Sequence, residues 1–327
     1  MKVENTFPQT LIDAIAYFGN ETNAFNFMVE LRWPNGVCGP RCQSKHIGFI
    51  STRRMWECHD CKTKKQFTLK VGTIFEDSAL PLAKWLAAIW MIANDKNGVS
   101  SYEVARAIGV TQKTAWFMLH RIRLAMQTGS FAKMSGEVEA DETFIGGRLS
   151  LMNSKQRKGR DWGHEHMVPV AGLLQRSAPD KPSRVKLQAL DGVARGHLFP
   201  HILQNVERGA KIYTDAFRSY RGLSMAYSHE VVDHAVAYVQ GKVHTNGLEN
   251  FWNLLKRTIR GTYVSVDPVH LQRYLDEQAF RFNERKDNDA GRFLKAARGI
   301  IGKTLRYLEL TNGKGGEDLP PQTARAW

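Results

Sequence analysis

The chain has 327 residues, 43% of them hydrophobic and 24% charged, a composition that excludes wholesale disorder and suits two domains with buried cores. Lys and Arg number 46 against 32 Asp and Glu, for a net charge of +14, and such an excess points to a polyanionic partner, nucleic acid above all. The longest apolar stretch, Leu80 to Ala93, contains Lys84 and falls short of the roughly 20 residues of a membrane helix, so no membrane partner is expected. With Glu4, Asp13 and Glu21 the N-terminus does not read as a secretory signal, and the cytoplasm is the expected compartment.

Residues 1–75 are expected to form a first domain. Its first 31 residues carry apolar positions (Leu11, Ile12, Ile15, Phe18, Phe25, Phe27) spaced for one or two short helices. Residues 32–75 are turn-rich and basic and hold all four cysteines, as Cys38-x3-Cys42, fifteen residues, and Cys58-x2-Cys61. Two thiolate pairs on tight turns are what one structural tetrahedral Zn²⁺ requires, and the segments 47–50 and 55–57 between them suit a hairpin, so a zinc ribbon is predicted. The first pair has three intervening residues rather than two, which leaves His46 or His59 as substitute ligands. Arg41, Lys45, Arg53, Arg54, Lys62, Lys64, Lys65 and Lys70 face only Glu57 and Asp60 in this region, which favours contact with phosphates.

Residues 76–130 are expected to form a helical domain. An apolar helix spans 82–93, Ser100 or Ser101 can cap a second, and Thr111 a third after a break at Gly109. Helix, glycine turn and helix make a helix-turn-helix in which Gln112, Lys113 and Thr114 would meet base edges of double-stranded DNA; a plain three-helix bundle is the alternative.

From 131 to 310 the pattern is α/β: strands at 137–145, 167–175, 184–190, 211–214 and 228–233, and helices at 197–206, 246–260, 268–285 and 290–310, with a loose tail over 311–327. Asp141 and Asp215 interrupt strands, and Glu249 lies near the start of a helix. Singly, these could be a solvated strand face, a helix cap, and a capping box between Asn246 and Glu249. Together, at one sheet edge, they would repel one another unless cations bind, and two Mg²⁺ (or Mn²⁺) ions about 3.5 to 4 Å apart would suit them and clamp a phosphodiester. Lys256 lies two helical turns after Glu249 on the same face, and Arg257 and Arg260 follow as phosphate contacts. Arg148, Lys155, Arg157, Lys158 and Arg160 form an acid-free basic run that could wall a path for DNA or simply be a solvated loop.

The segments Glu139-Ala140-Asp141-Glu142-Thr143, Tyr213-Thr214-Asp215 and His244 to Trp252 with Lys256, followed by Gly261-Thr262-Tyr263 and Phe282-Asn283-Glu284-Arg285, resemble those of a bacterial insertion-sequence DDE transposase. The resemblance covers most of the chain and implies an RNase H-like mixed sheet flanked by helices, preceded by a small zinc ribbon and the helical domain. It implies Asp141, Asp215 and Glu249 as the metal-binding triad, with Asn246 as the competing third ligand and Glu142 as an understudy to Asp141. The implied activity is Mg²⁺-dependent cleavage and transfer of DNA strands at the element's ends into target DNA, by a homodimer or larger synaptic complex in the bacterial cytoplasm at the nucleoid. A DNA-binding regulator with an inactive RNase H-like domain and a nuclease that cuts without joining are the alternatives.

Overall fold

A computed structural model describes residues 7–127, 133–146, 167–179, 181–232 and 244–311. The chain divides into two compact units, residues 1–127 with 287–327, and residues 128–286. The basic run from Arg148 through Lys155, Arg157 and Lys158 to Arg160 lies outside the described residues.

In the first unit, α1 (Leu11–Gly19) opens on a reciprocal capping box between Thr10 and Asp13, and α2 (Glu21–Arg32) on an Asn20 cap. The expected hairpin is present as β1 (Ile47–Ile50) and β2 (Met55–Cys58), and a third antiparallel strand, β3 (Gln66–Thr68), pairs with β2. Trp33, Trp56 and Phe67 form the small aromatic core of this sheet. Helix α3 (Leu82–Asn94) buries Leu86, Ile89 and Trp90, each side chain stabilising the unit by about 1.5–3 kcal/mol. Helix α4 (Ser101–Ile108) starts on the Ser100–Glu103 capping box and stops at Gly109, whose φ of 62° is the left-handed turn that glycine adopts without strain; α5 (Gln112–Met126) starts two residues later on the Thr111 cap.

The second unit is built on a five-stranded sheet of β4 (Glu137–Gly146), β5 (Met167–Gln175), β6 (Arg184–Ala189), β7 (Lys211–Asp215) and β8 (Ser228–Val232), in the order β6-β5-β4-β7-β8. Strands β4, β5 and β6 run antiparallel, while β7 is parallel to both β4 and β8. Val138, Ala140, Ala171 and Leu173 pack on one face against Leu198 and Ile202 of α6 (Arg195–Asn205). The alternate residues Val170, Leu174, Val185 and Leu187 pack on the other, against α7 (Asn246–Thr258) and α8 (Leu271–Asn283). A π-helical turn, 259–263, extends α7, held where the Tyr263 hydroxyl donates to buried Glu277 of α8 at 2.5 Å.

The region expected as one helix over 290–310 is two, α9 (Asp289–Arg298) and α10 (Tyr307–Thr311), and both belong to the first unit rather than to the α/β domain that the sequence reading carried to residue 310. Phe293 of α9 is fully buried among the rings of Phe18, Phe27 and Trp90. The break falls at Gly299, where a Cβ would overlap the carbonyl oxygen of Ala125 in α5. Among the described residues, no helix is long and apolar enough to cross a membrane.

Candidate active site and metal centre

Strand β4 puts Val138 and Ala140 into the α6 side of the sheet, so Glu139 and Asp141 emerge on the α7 side. One oxygen of Asp141, Oδ2, accepts the indole N–H of Trp252 at 2.8 Å. The ring of Trp252 is 5% exposed and lies over Gly172, the residue paired with Asp141 on β5; a Cβ there would stand 2.5 Å from the indole. Burial pushes the Asp141 carboxyl up to about 6, the Trp252 hydrogen bond opposes the rise, and the charges of Asp215 and Glu249 add to it. Asp215 and Glu249 therefore act electrostatically on Asp141, although the oxygens of the three acids are not gathered within 4.8 Å of one another in the way the cysteines below are.

Asp215 ends β7, and its Oδ1 accepts the N–H of Phe217 at 3.0 Å; it does not cap the following helical turn, Arg218–Tyr220, whose cap position is Phe217 with no side-chain cap. Glu249 is exposed in the first turn of α7, and the Thr245 hydroxyl donates to it at 3.4 Å. The capping box weighed for Asn246 and Glu249 does not form: the cap position is Thr245, which makes no side-chain cap. Asn246 is the first residue of α7 and half-buried. Glu142, next to Asp141, alternates to the opposite side of the strand, where the Tyr220 hydroxyl donates to it at 2.5 Å and burial raises its carboxyl to about 7.

Lys256 is half-buried two turns along α7, its ammonium lowered by burial and by Arg260 and favoured by Asp141. It lines a groove of about 340 Å³ with Arg260 and the apolar Ile259, Val264 and Val266. Arg257 and Arg260 are exposed.

Residues that sequence reasoning did not assign complete the site. Glu139 is 1% exposed and accepts from Arg176 Nε at 2.8 Å and from the backbone N–H of Leu248 at 2.9 Å. Its only signal in the sequence was an acid between Val138 and Ala140 in an apolar strand, with an arginine just past the neighbouring strand.

In the first unit, Cys42, Cys58 and Cys61 form the only group of three or more His, Cys, Asp or Glu ligand atoms within 4.8 Å of one another among the described residues. Cys42 Sγ lies 3.3 Å from both Cys58 and Cys61, and Gly39 leaves room for them, since a Cβ there would stand 2.9 Å from Cys42 Sγ. Three convergent thiols on two turns fit a structural Zn²⁺. Cys38 falls outside the group, with its thiol 3.5 Å from the Gln43 side-chain oxygen. The rings of His46 and His59 lie 4.7 Å apart at a tilt of 52°, and His46 pairs with Asp60 at 3.1 Å.

At the start of α5, Gln112 donates to Ser101 at 2.9 Å, Thr114 shares a 2.8 Å hydrogen bond with Thr111, and exposed Lys113 sits 4.9 Å over the Tyr307 ring. Phe117 and Arg121, each one turn further, also meet the C-terminal segment, at Tyr307 and the Leu305 carbonyl.

Two family models match the chain: the ISXO2-like transposase domain over residues 133–283 and the transposase zinc-ribbon domain over residues 19–64. A protein in transposable element ISH50 of Halobacterium salinarum is 27% identical over 266 residues, 74% of this chain and 84% of the relative. A transposase-like protein of Haemophilus influenzae is 32% identical over 101 residues, 31% of this chain and 81% of the relative. With both matched regions in the order ribbon, then transposase domain, the chain belongs to the insertion-sequence transposases of the ISXO2-like kind.

Proposed function

We propose that this transposase binds the ends of its mobile element and carries out divalent-metal-dependent cleavage and strand transfer, with Asp141, Asp215 and Glu249 as the acids that hold the metal. The observation that carries the reading is the state of Asp141: a largely buried carboxyl whose pKa is raised toward 6 by burial and by the charges of Asp215 and Glu249, an arrangement that cations relieve. The sheet order β6-β5-β4-β7-β8, with Asp141 and Asp215 on adjacent central strands, supports the RNase H-like assignment. Mg²⁺ or Mn²⁺ bound there would supply Lewis-acid activation of a water or 3′-hydroxyl and stabilise the leaving oxygen. The protein's own share is positional. Trp252 holds Oδ2 of Asp141 by a hydrogen bond, while Lys256 offers a cation to the backbone phosphates.

The first unit would read the element ends. The turn between α4 and α5 supports a helix-turn-helix with Gln112, Lys113 and Thr114 at its leading edge, and the basic ribbon adds phosphate contacts. Pairing of two ends calls for a dimer or larger synaptic complex. The test is incubation with Mg²⁺ and DNA carrying the element's flanking ends: joined products support the proposal, nicks without joining reduce it to a nuclease, and salt-sensitive binding alone leaves a regulator.

A further inference from the structure

Helix α7 opens with N–H groups that its own cap residue does not satisfy, since Thr245 makes no side-chain cap. The acceptor comes from 109 positions earlier in the chain, where Glu139 Oε2 takes the Leu248 N–H at 2.9 Å. The other oxygen of Glu139 takes Arg176 Nε at 2.8 Å, and Arg176 Nη2 reaches the carbonyl of His244, just before the helix, at 2.6 Å. Gly247 permits the approach, because a Cβ there would stand 2.7 Å from Glu139 Oε2. An uncharged cap such as Ser or Asn could have satisfied one N–H without burying a charge, whereas a carboxylate at 1% exposure is retained only with its full set of partners.

The arrangement makes two rungs between strand and helix. Glu139 meets Leu248, and Asp141 meets Trp252. Two strand residues rise about 6.7 Å and four helical residues about 6 Å, so both rungs close on straight elements. Glu249 directly follows the first rung.

We propose that Glu139 is a positioning residue for the acidic site: by latching the first turn of α7 to β4 it sets the height of Glu249 along the helix relative to Asp141. The proposal rests on the site assignment made under the proposed function. Loss of the latch leaves the second rung and the buried side chains of α7 in place, so metal affinity should suffer well before folding does.

The test uses the full chain with Glu139→Gln, which keeps the shape and one acceptor but removes the charge that holds Arg176. Calorimetric titration with Mn²⁺ and the Mn²⁺ dependence of end cleavage are compared with the parent, alongside end binding and thermal melting. The expected result is a folded variant that binds ends like the parent, with Mn²⁺ affinity lowered about 10- to 100-fold and cleavage recovering at high Mn²⁺. Parent-like Mn²⁺ affinity and cleavage in the folded variant would overturn the latch. Gly247→Ala, which crowds the same carboxylate without deleting it, gives the second reading should Glu139→Gln fail to fold, with the same criteria. Asp141→Ala separates the two levels: if it leaves Mn²⁺ binding unchanged, the site assignment falls and the latch with it, whereas an effect there with none at Glu139 or Gly247 removes the latch alone.

Discussion

The indole of Trp252 lies over Gly172 and donates its N–H to Asp141, the residue that Gly172 faces across the β4–β5 pairing. Gly172 and Asp141 are thus two sides of one constraint: the missing side chain makes the space in which the indole reaches the carboxylate. Trp252→Phe should keep most of the buried area and remove the donor, at a cost of about 1.5–3 kcal/mol for a hydrogen bond to a charged group. Cleavage should fall about 10- to 100-fold, as for loss of an outer partner of a metal ligand. Gly172→Ala should cost about 1–3 kcal/mol through overpacking and reproduce the cleavage defect. Chemical denaturation and a cleavage assay on the same preparations check both.

Removal of metal from the ribbon should unfold it. The sheet β1-β2-β3 rests on a small aromatic core, so ligation would supply much of its stability, on the order of 10 kcal/mol. Cys42→Ser, Cys58→Ser and Cys61→Ser should each abolish stoichiometric zinc and weaken end binding, and Cys38→Ser, outside the thiol cluster, should do so least. Zinc content by atomic absorption, with circular dichroism before and after a chelator, distinguishes the four positions.

Acid should weaken the second unit through His201. Burial holds its imidazole down to about 4, against about 6.5 in the unfolded chain, and nearby Lys186 acts in the same direction. Between those values the unfolded chain binds a proton that the folded chain does not, so this stability is present above pH 6.5 and is lost as the pH falls toward 4. From pH 7 to pH 5 the loss is on the order of 2 kcal/mol. Denaturant melts at the two pH values should show a smaller loss for His201→Gln, which cannot titrate but can still accept from Asn205.

Base reading by α5 is expected to depend on Lys113. Lys113→Ala should lower the preference for element ends over unrelated DNA by ~1–3 kcal/mol, measured in competition gel shifts at fixed salt. An equal loss on every sequence would make Lys113 a phosphate contact.

What could be read in advance follows from how local each signal is. Ser100 with Glu103, Thr111, and the alternation along Glu137 to Ile145 act over a few residues, and they define α4, α5 and β4 closely. β3 escaped notice because its one inward residue, Phe67, follows Lys62, Lys64 and Lys65 and registers only when paired with Trp56. The cap of α7 is hidden for the same reason: Asn246 and Glu249 have the spacing of a capping box, the alternative that the sequence left open, but the acceptor is Glu139, which no local pattern reveals. The return of α9 to the first unit likewise depends on Phe293 meeting Phe18 and Trp90, more than 200 positions away. Of the acids proposed to hold the metal, Asp141, Asp215 and Glu249 stand out in the sequence as charges out of place, whereas the hydrogen bond from Trp252 to Asp141 is hidden in an apolar stripe.

The most direct measurement is Mg²⁺-dependent cleavage of end-bearing DNA by Asp141→Asn and Asp215→Asn, run beside a gel shift on the same DNA. The account predicts a fall in cleavage of about a thousandfold or more, equivalent to ~4 kcal/mol of barrier, with end binding nearly unchanged. Cleavage at the parent rate by either variant would contradict it.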